Sequence, residues 1–241
     1  MSKPLRPRFV ALTELLAHHH PGVPVGAITA GLVLVDGRII TNLNARVPRD
    51  ASLRVRPDRR LRGDIKLSYG LDALGVPVAG RVALDVGASA GGFTTALLER
   101  GARRVYAVEA GVSQLVGRLR LHSAVVNLEG HNLGDLTTKM VPELVELVVL
   151  DLSYLALADA IPQLAPLRLC RRADLVALVK PTFELRRGHL AAAPADLTRA
   201  LESVAAAAGR SGWTVRGTVI APSTGRRGAL EGFLHARRDG G

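Results

Sequence analysis

From about residue 60 onward the chain alternates short apolar runs with amphipathic stretches. Runs rich in Val, Leu and Ala at 81–87, 103–109, 123–129, 144–151 and 174–180 are nearly unbroken by polar residues, as strands buried on both faces require. Each run except the third is followed by a stretch with helical periodicity, including 93–100 and 195–209, where Gly209 reads as the C-terminal cap. A lead-in helix is predicted over 63–74. Two final strands, 213–221 and 229–237, are joined by a Ser-Thr-Gly turn and should pair antiparallel. This alternation predicts an α/β fold: a doubly wound, mostly parallel seven-stranded sheet ending in an antiparallel hairpin.

Residues 9–57 follow a different pattern. A helix over 9–17, a Pro-Gly break and a short helix near 25–30 precede a hairpin, whose strands 32–35 and 38–40 flank Asp36-Gly37. A half-exposed strand follows at 52–56. The reading is a small α+β domain over 1–58, a linker over 59–63 and the α/β domain over 64–241.

Composition adds a partner. The 241 residues are 48% apolar but only 3% aromatic, so the core must be filled by aliphatic side chains. The net charge is +11. Residues 1–63 hold eleven Lys/Arg against four acids, a net +7, leaving +4 for the remaining 178 residues. That excess favours a polyanion, nucleic acid before anionic membrane, and points to the N-terminal part as the face that meets it. Cys170 is the only cysteine, which excludes an intrachain disulfide and suits a reducing cytoplasm. The most apolar region, 144–161, is interrupted by Glu146, Asp151 and Asp159, so no membrane span is expected. His18, His19 and His20 are adjacent at a helix end and read as solvated; no metal site is expected.

The candidate chemistry sits at strand ends. After the first strand of the α/β domain comes Leu84-Asp85-Val-Gly87-Ala-Ser89-Ala-Gly91-Gly92-Phe93-Thr94, a glycine-rich turn opening a helix. A dinucleotide fingerprint has the spacing G-x-G-x-x-G, suited to a pyrophosphate. Here an acid stands two residues before the first glycine, which suits a ligand carrying an amino group and a sulfonium, as S-adenosylmethionine (SAM) does. Glu109 ends the next strand, 24 residues after Asp85, where a carboxylate commonly meets ribose hydroxyls. Asp151 and Lys180 end two further strands. A lysine at the tip of an apolar strand needs a partner, and Asp151 is the natural one. So placed, it can orient or deprotonate a weakly acidic hydroxyl.

Taken in order, Gly63-Asp64-Ile65-Lys66-Leu67, the Asp85–Thr94 loop, Asp151-Leu-Ser153 and Lys180-Pro181-Thr-Phe183-Glu184 resemble the TlyA-type rRNA 2′-O-ribose methyltransferases and their haemolysin homologues. That family joins an αL RNA-binding module to an FtsJ-like SAM-dependent methyltransferase domain. The resemblance is strong over about 60–237 and loose over 9–57. It implies a ribose-binding tetrad of Lys66, Asp151, Lys180 and Glu231. It implies cofactor contacts at Asp85, Gly87, Ser89, Gly91, Gly92 and Phe93, with Glu109 on the ribose and Asn132 near the adenine. The module usually has an Arg-rich second helix, yet 23–30 has no basic residue. Arg38, Arg46 and Arg49, with Arg59, Arg60 and Arg62 of the linker, are the candidates to replace it. Arg186, Arg187, Arg226 and Arg227 flank the expected pocket mouth and could grip RNA phosphates. The expected function is SAM-dependent 2′-O-methylation of RNA, ribosomal RNA foremost. Its rivals are a small-molecule O-methyltransferase and a catalytically idle RNA-binding or assembly factor that retains SAM. The absence of apolar spans argues against a membrane-active haemolysin.

Overall fold

The computed structural model describes residues 8–29, 31–55, 62–185, 193–222 and 230–238, with only the backbone of Arg62. The chain divides into two compact units, 1–59 and 60–241.

The first unit contains β1 (Phe9–Ala11), α1 (Leu12–His19), α2 (Gly26–Thr29), β2 (Val33–Val35), β3 (Arg38–Ile39), β4 (Arg46–Pro48) and β5 (Leu53–Val55). The helix expected from residue 9 starts three residues later. Phe9–Ala11 instead pairs antiparallel with β4, which sets Val10 opposite Val47, both buried. That pairing spans almost forty residues, so no local pattern announces it. The β2–β3 hairpin turns on Asp36 (φ 47°) and Gly37 (φ 80°), the left-handed pair that a tight hairpin needs. Leu12, Leu16, Ile28 and Val33 fill the core of this unit.

The second unit comprises α3 (Arg62–Ala73), β6 (Val82–Val86), α4 (Gly92–Glu99), β7 (Arg104–Glu109), α5 (Gly117–Arg120), β8 (Val125–Glu129) and β9 (Val145–Leu150). After these come α6 (Leu157–Ala160), β10 (Leu169–Val179), α7 (Pro181–Glu184), α8 (Pro194–Arg210), β11 (Trp213–Ile220) and β12 (Gly232–Arg238). The sheet runs β11-β12-β10-β9-β6-β7-β8. Strands β8, β7, β6, β9 and β10 are parallel; β12 lies antiparallel between β10 and β11. The chain builds outward from β6 through β7 to β8, then returns to the other side of β6 as β9. The crevice beyond the tips of β6 and β9 is therefore the topological switch point, where an open α/β sheet places its ligand.

Three local expectations shift. Connections after β7 and β9 hold only four-residue helices, α5 and α6, and β8 is followed by a 3₁₀ turn at Leu133–Asp135. Strand β10 begins at Leu169, with an irregularity before Asp174. Helix α8 continues through Gly209 to Arg210; the left-handed residue beyond it is Gly212 (φ 79°), not Gly209.

At the amino end of the sheet a single carboxylate ties three segments together. Asp174 on β10 is fully buried and accepts hydrogen bonds from Arg81 Nη1 (2.6 Å), His235 Nε2 (2.8 Å) and Arg237 Nε (2.8 Å). Burial alone would raise its pKa. The three donors more than reverse this and hold the carboxyl well below the usual range.

Candidate active site

The glycines of the loop leave no room for a side chain. A Cβ on Gly87 (φ 87°) would stand 2.3 Å from the carbonyl oxygen of Asp151, and one on Gly91 (φ 96°) 2.1 Å from Leu119 Cδ1. A Cβ on Gly92 would approach Gly63 Cα to 2.9 Å, because the amino ends of α3 and α4 touch. Ser89 is also left-handed (φ 48°), a strain that the sequence pattern did not signal. The loop is held by main-chain bonds from Gly87 and Ala88 to Val108 O, and by the Glu109 carboxylate. That carboxylate accepts from Ser89 N (2.9 Å) and Gly111 N (2.8 Å). Over the loop opens a cavity of about 200 Å³, lined among others by Gly63, Gly87, Ser89, Gly92, Phe93 and Asp151. The Phe93 ring, mostly buried, also packs on Phe233.

Two expected cofactor residues also carry bonds within the protein. Asp85 is fully buried and outside the cavity lining; its Oδ2 accepts from Thr94 Oγ1 (2.6 Å), and its Oδ1 has no hydrogen-bond partner. It tethers β6 to α4, so it shapes the loop from beneath. Burial is the main cause that pushes its carboxyl up to about 7, opposed by the Thr94 hydrogen bond and reinforced by Asp151 and Glu109. A carboxyl whose folded pKa lies above its unfolded value stabilises the fold at low pH, and that contribution fades as pH rises from about 4 through 7. Asp85→Asn should therefore gain stability relative to the wild type between pH 5 and pH 8. Thermal unfolding across that range tests this, and a constant difference between the two proteins would count against it. Asn132, the second such residue, is exposed and caps the 3₁₀ turn through reciprocal bonds with Asp135.

The four tetrad residues meet as two ion pairs. Lys180 Nζ lies 2.5 Å from Asp151 Oδ1 and 2.8 Å from Ser153 Oγ, with the Phe183 ring centroid at 5.9 Å. Asp151 follows the tip of β9 and Lys180 the tip of β10, and the parallel register of these strands brings the side chains together. Lys66 Nζ lies 2.5 Å from Glu231 Oε2, their side chains only 12% and 8% exposed. This second pair exists because α3 sits directly on β12. A Cβ at Gly70 would come within 2.8 Å of the Phe233 ring, and Lys66, one turn earlier, faces Glu231.

The motifs also contain residues with positioning work that their sequence did not reveal. Glu184, four residues after Lys180, accepts from Leu157 N (2.6 Å) and Ala158 N (3.3 Å) at the start of α6. Burial raises its pKa, and those two N–H groups oppose the rise. Arg59, Arg60, Arg186, Arg187, Arg226 and Arg227 lie outside the described residues, as does the side chain of Arg62. Among the described residues no group of three His, Cys, Asp or Glu side chains could hold a metal, and no helix is long and apolar enough to cross a membrane.

Comparison with known proteins places this geometry. The chain is 39% identical over 219 residues to the 16S/23S rRNA (cytidine-2′-O)-methyltransferase TlyA of Mycobacterium tuberculosis, covering 87% of this chain and 81% of that protein. It is 34% identical to Hemolysin A of Brachyspira hyodysenteriae, over 68% of this chain and 69% of the relative. A solved structure designated a hemolysin from Streptococcus thermophilus superposes with a TM-score of 0.70 at 28% identity, covering 96% of this chain and 89% of that one. The FtsJ-like methyltransferase pattern matches residues 59–236, which take in the glycine loop, both ion pairs and all of the sheet but the end of β12, and the chain belongs to that family.

Proposed function

We propose that this protein is a SAM-dependent 2′-O-ribose methyltransferase acting on RNA in the cytoplasm, with ribosomal RNA as its substrate. The observation that carries the reading is the Lys180–Asp151 pair at adjacent strand tips, with Asp151 itself lining the cavity over the glycine loop. The loop fits SAM, since Gly87 and Gly92 line the cavity beside Asp151 and leave main chain free to approach a ligand there. When bound, SAM supplies an electrophilic methyl on a sulfonium whose sulfur keeps the bonding electron pair.

The residues of this chain then have separable tasks. Gly87, Ser89, Gly91 and Gly92 would bring main chain against the cofactor, and the Glu109 carboxylate, which already accepts from Ser89 N and Gly111 N, would also accept from its ribose. Lys180 donates an N–H to the target 2′-hydroxyl oxygen, which orients it and assists loss of its proton to solvent, while Asp151 balances the ammonium charge. Lys66 and Glu231 hold the target ribose in line. Correct placement of the nucleophile supplies much of the rate in such a displacement. A 2′-hydroxyl occurs in every ribonucleotide, so target choice rests on RNA shape and on flipping the nucleotide out of its stack.

Residues 1–58 are read as a divergent αL RNA-binding domain, joined by linker 59–63 to the catalytic domain. Arg38 is exposed on the hairpin, whereas Arg46 is tied to the Phe9 carbonyl at 2.8 Å. Because phosphate contacts release counterions, RNA affinity should fall steeply between 50 and 200 mM salt, by ~10-fold or more. Filter binding to ribosomal RNA measures this, and a flat salt response would argue against phosphate contacts. The lack of any basic residue in α2 favours one second reading, methylation of a small-molecule hydroxyl. Mapping 2′-O-methyl marks on rRNA incubated with purified protein and SAM decides between them. The proposal expects a discrete mark, and rRNA left unmarked while a small hydroxyl compound is methylated would reverse it.

A further inference from the structure

We propose that Ser153 is a positioning residue for Lys180, holding its ammonium so that one N–H stays directed at the substrate hydroxyl. This inference rests on the reading of Lys180 given above.

An ammonium on a lysine carries three N–H groups in tetrahedral directions. Among the described residues Lys180 donates a hydrogen bond to Ser153 Oγ at 2.8 Å, whereas Asp151 Oδ1, at 2.5 Å, is its ion-pair partner without an aligned N–H. The Asp151 charge alone would leave the ammonium free to turn about its Cε–Nζ bond. One aligned acceptor, Ser153 Oγ, stops that rotation, and the directions of the other two N–H groups follow from it. Ser153 brings no charge, so its contribution is orientation; the field at Lys180 comes from Asp151.

The short distance to Ser153 is built into the main chain. Ser153 lies four residues before Leu157, and Glu184 lies four residues after Lys180. The bonds from Leu157 N and Ala158 N to the Glu184 carboxylate fasten the loop that carries Ser153 to the segment that carries Lys180. Asp151 is fixed independently by its own N–H on Val86 O (2.9 Å). Ser153 is thus tied to the segment that carries Lys180, while Asp151 is held by the neighbouring strand. Ser153 is itself exposed, so removing its hydroxyl opens no cavity in the core.

The test uses the full-length protein with labelled SAM and ribosomal RNA. Ser153→Ala should lower kcat ~10–100-fold, the range expected when a reacting group loses its alignment. The KM values for RNA and SAM, and SAM affinity by calorimetry, should stay within about twofold if the Ser153 hydroxyl acts through the Lys180 bond it accepts. Ser153→Thr, which restores the hydroxyl, should recover most of the lost kcat. Wild-type kcat in Ser153→Ala, a loss carried by KM instead of kcat, or no recovery in a folded Ser153→Thr would overturn the inference while leaving the methyltransferase reading intact. A wild-type protein that binds SAM but methylates no RNA would overturn both.

Discussion

Lys180→Ala is expected to lower methyl transfer to RNA by at least ~100-fold, the low end of what a positioned proton-transfer group contributes. SAM affinity should stay within about twofold, because the cradle of Gly87, Gly91 and Gly92 is built from main chain that the substitution leaves in place. The two effects separate because Lys180 stands on β10's tip and the glycine loop on β6's tip, with β9 between them. Asp151→Ala should cost a similar factor, since the Lys180 ammonium would lose the carboxylate paired with it. The double variant should cost little more than either single one, as residues acting as a unit do. Transfer of label from SAM to rRNA, read beside calorimetry for SAM, tests the pair. Persistent transfer by Lys180→Ala would remove the lysine from the mechanism, and full additivity would mean that the two residues act separately.

Asp174→Ala should produce the largest loss of stability, about 3 kcal/mol or more. It would strand the donors of Arg81, Arg237 and His235 around a fully buried position. Arg81 and Arg237 are 22% and 36% exposed, so water can reach part of each and the loss falls short of that for a fully buried network. For a domain of this size the change corresponds to ~6–12 °C in Tm. The depressed pKa of Asp174 sets the pH dependence. Its contribution is complete above the unfolded value near 4 and declines as pH falls below that. The gap between wild type and variant should therefore narrow in acid. Cofactor affinity should not change, because Asp174 pairs in register with Leu147, three residues before the β9 tip, at the end of the sheet remote from the loop. A Tm within 2 °C of wild type would show that solvent replaces the carboxylate without cost.

The sequence was most readable where structure follows from local pattern. Runs such as Val145–Leu150 are apolar on both faces because both faces are covered, so the parallel strands could be located from composition alone. The glycine loop was legible because positive φ and close contacts leave few alternatives to glycine. The left-handed conformation of Ser89, itself a named candidate, went unforeseen because a serine does not advertise it. The turn of α8 was misplaced because two glycines, Gly209 and Gly212, stand within four residues, and only the helix's hydrogen bonds select between them.

By itself, then, the chain determined its α/β alternation, its ligand loop, its basic character and the residue types able to handle a hydroxyl. Tertiary structure decided which of those residues meet. Lys66 and Glu231 are 165 positions apart and pair only because α3 lies on β12. Strand register puts Lys180 beside Asp151, and packing buries Asp85 beneath the loop while Asp151 lines the cavity. The physical reason is range. Periodicity and turn chemistry act over a few residues, whereas ion pairs and burial depend on which surfaces the folded sheet brings face to face.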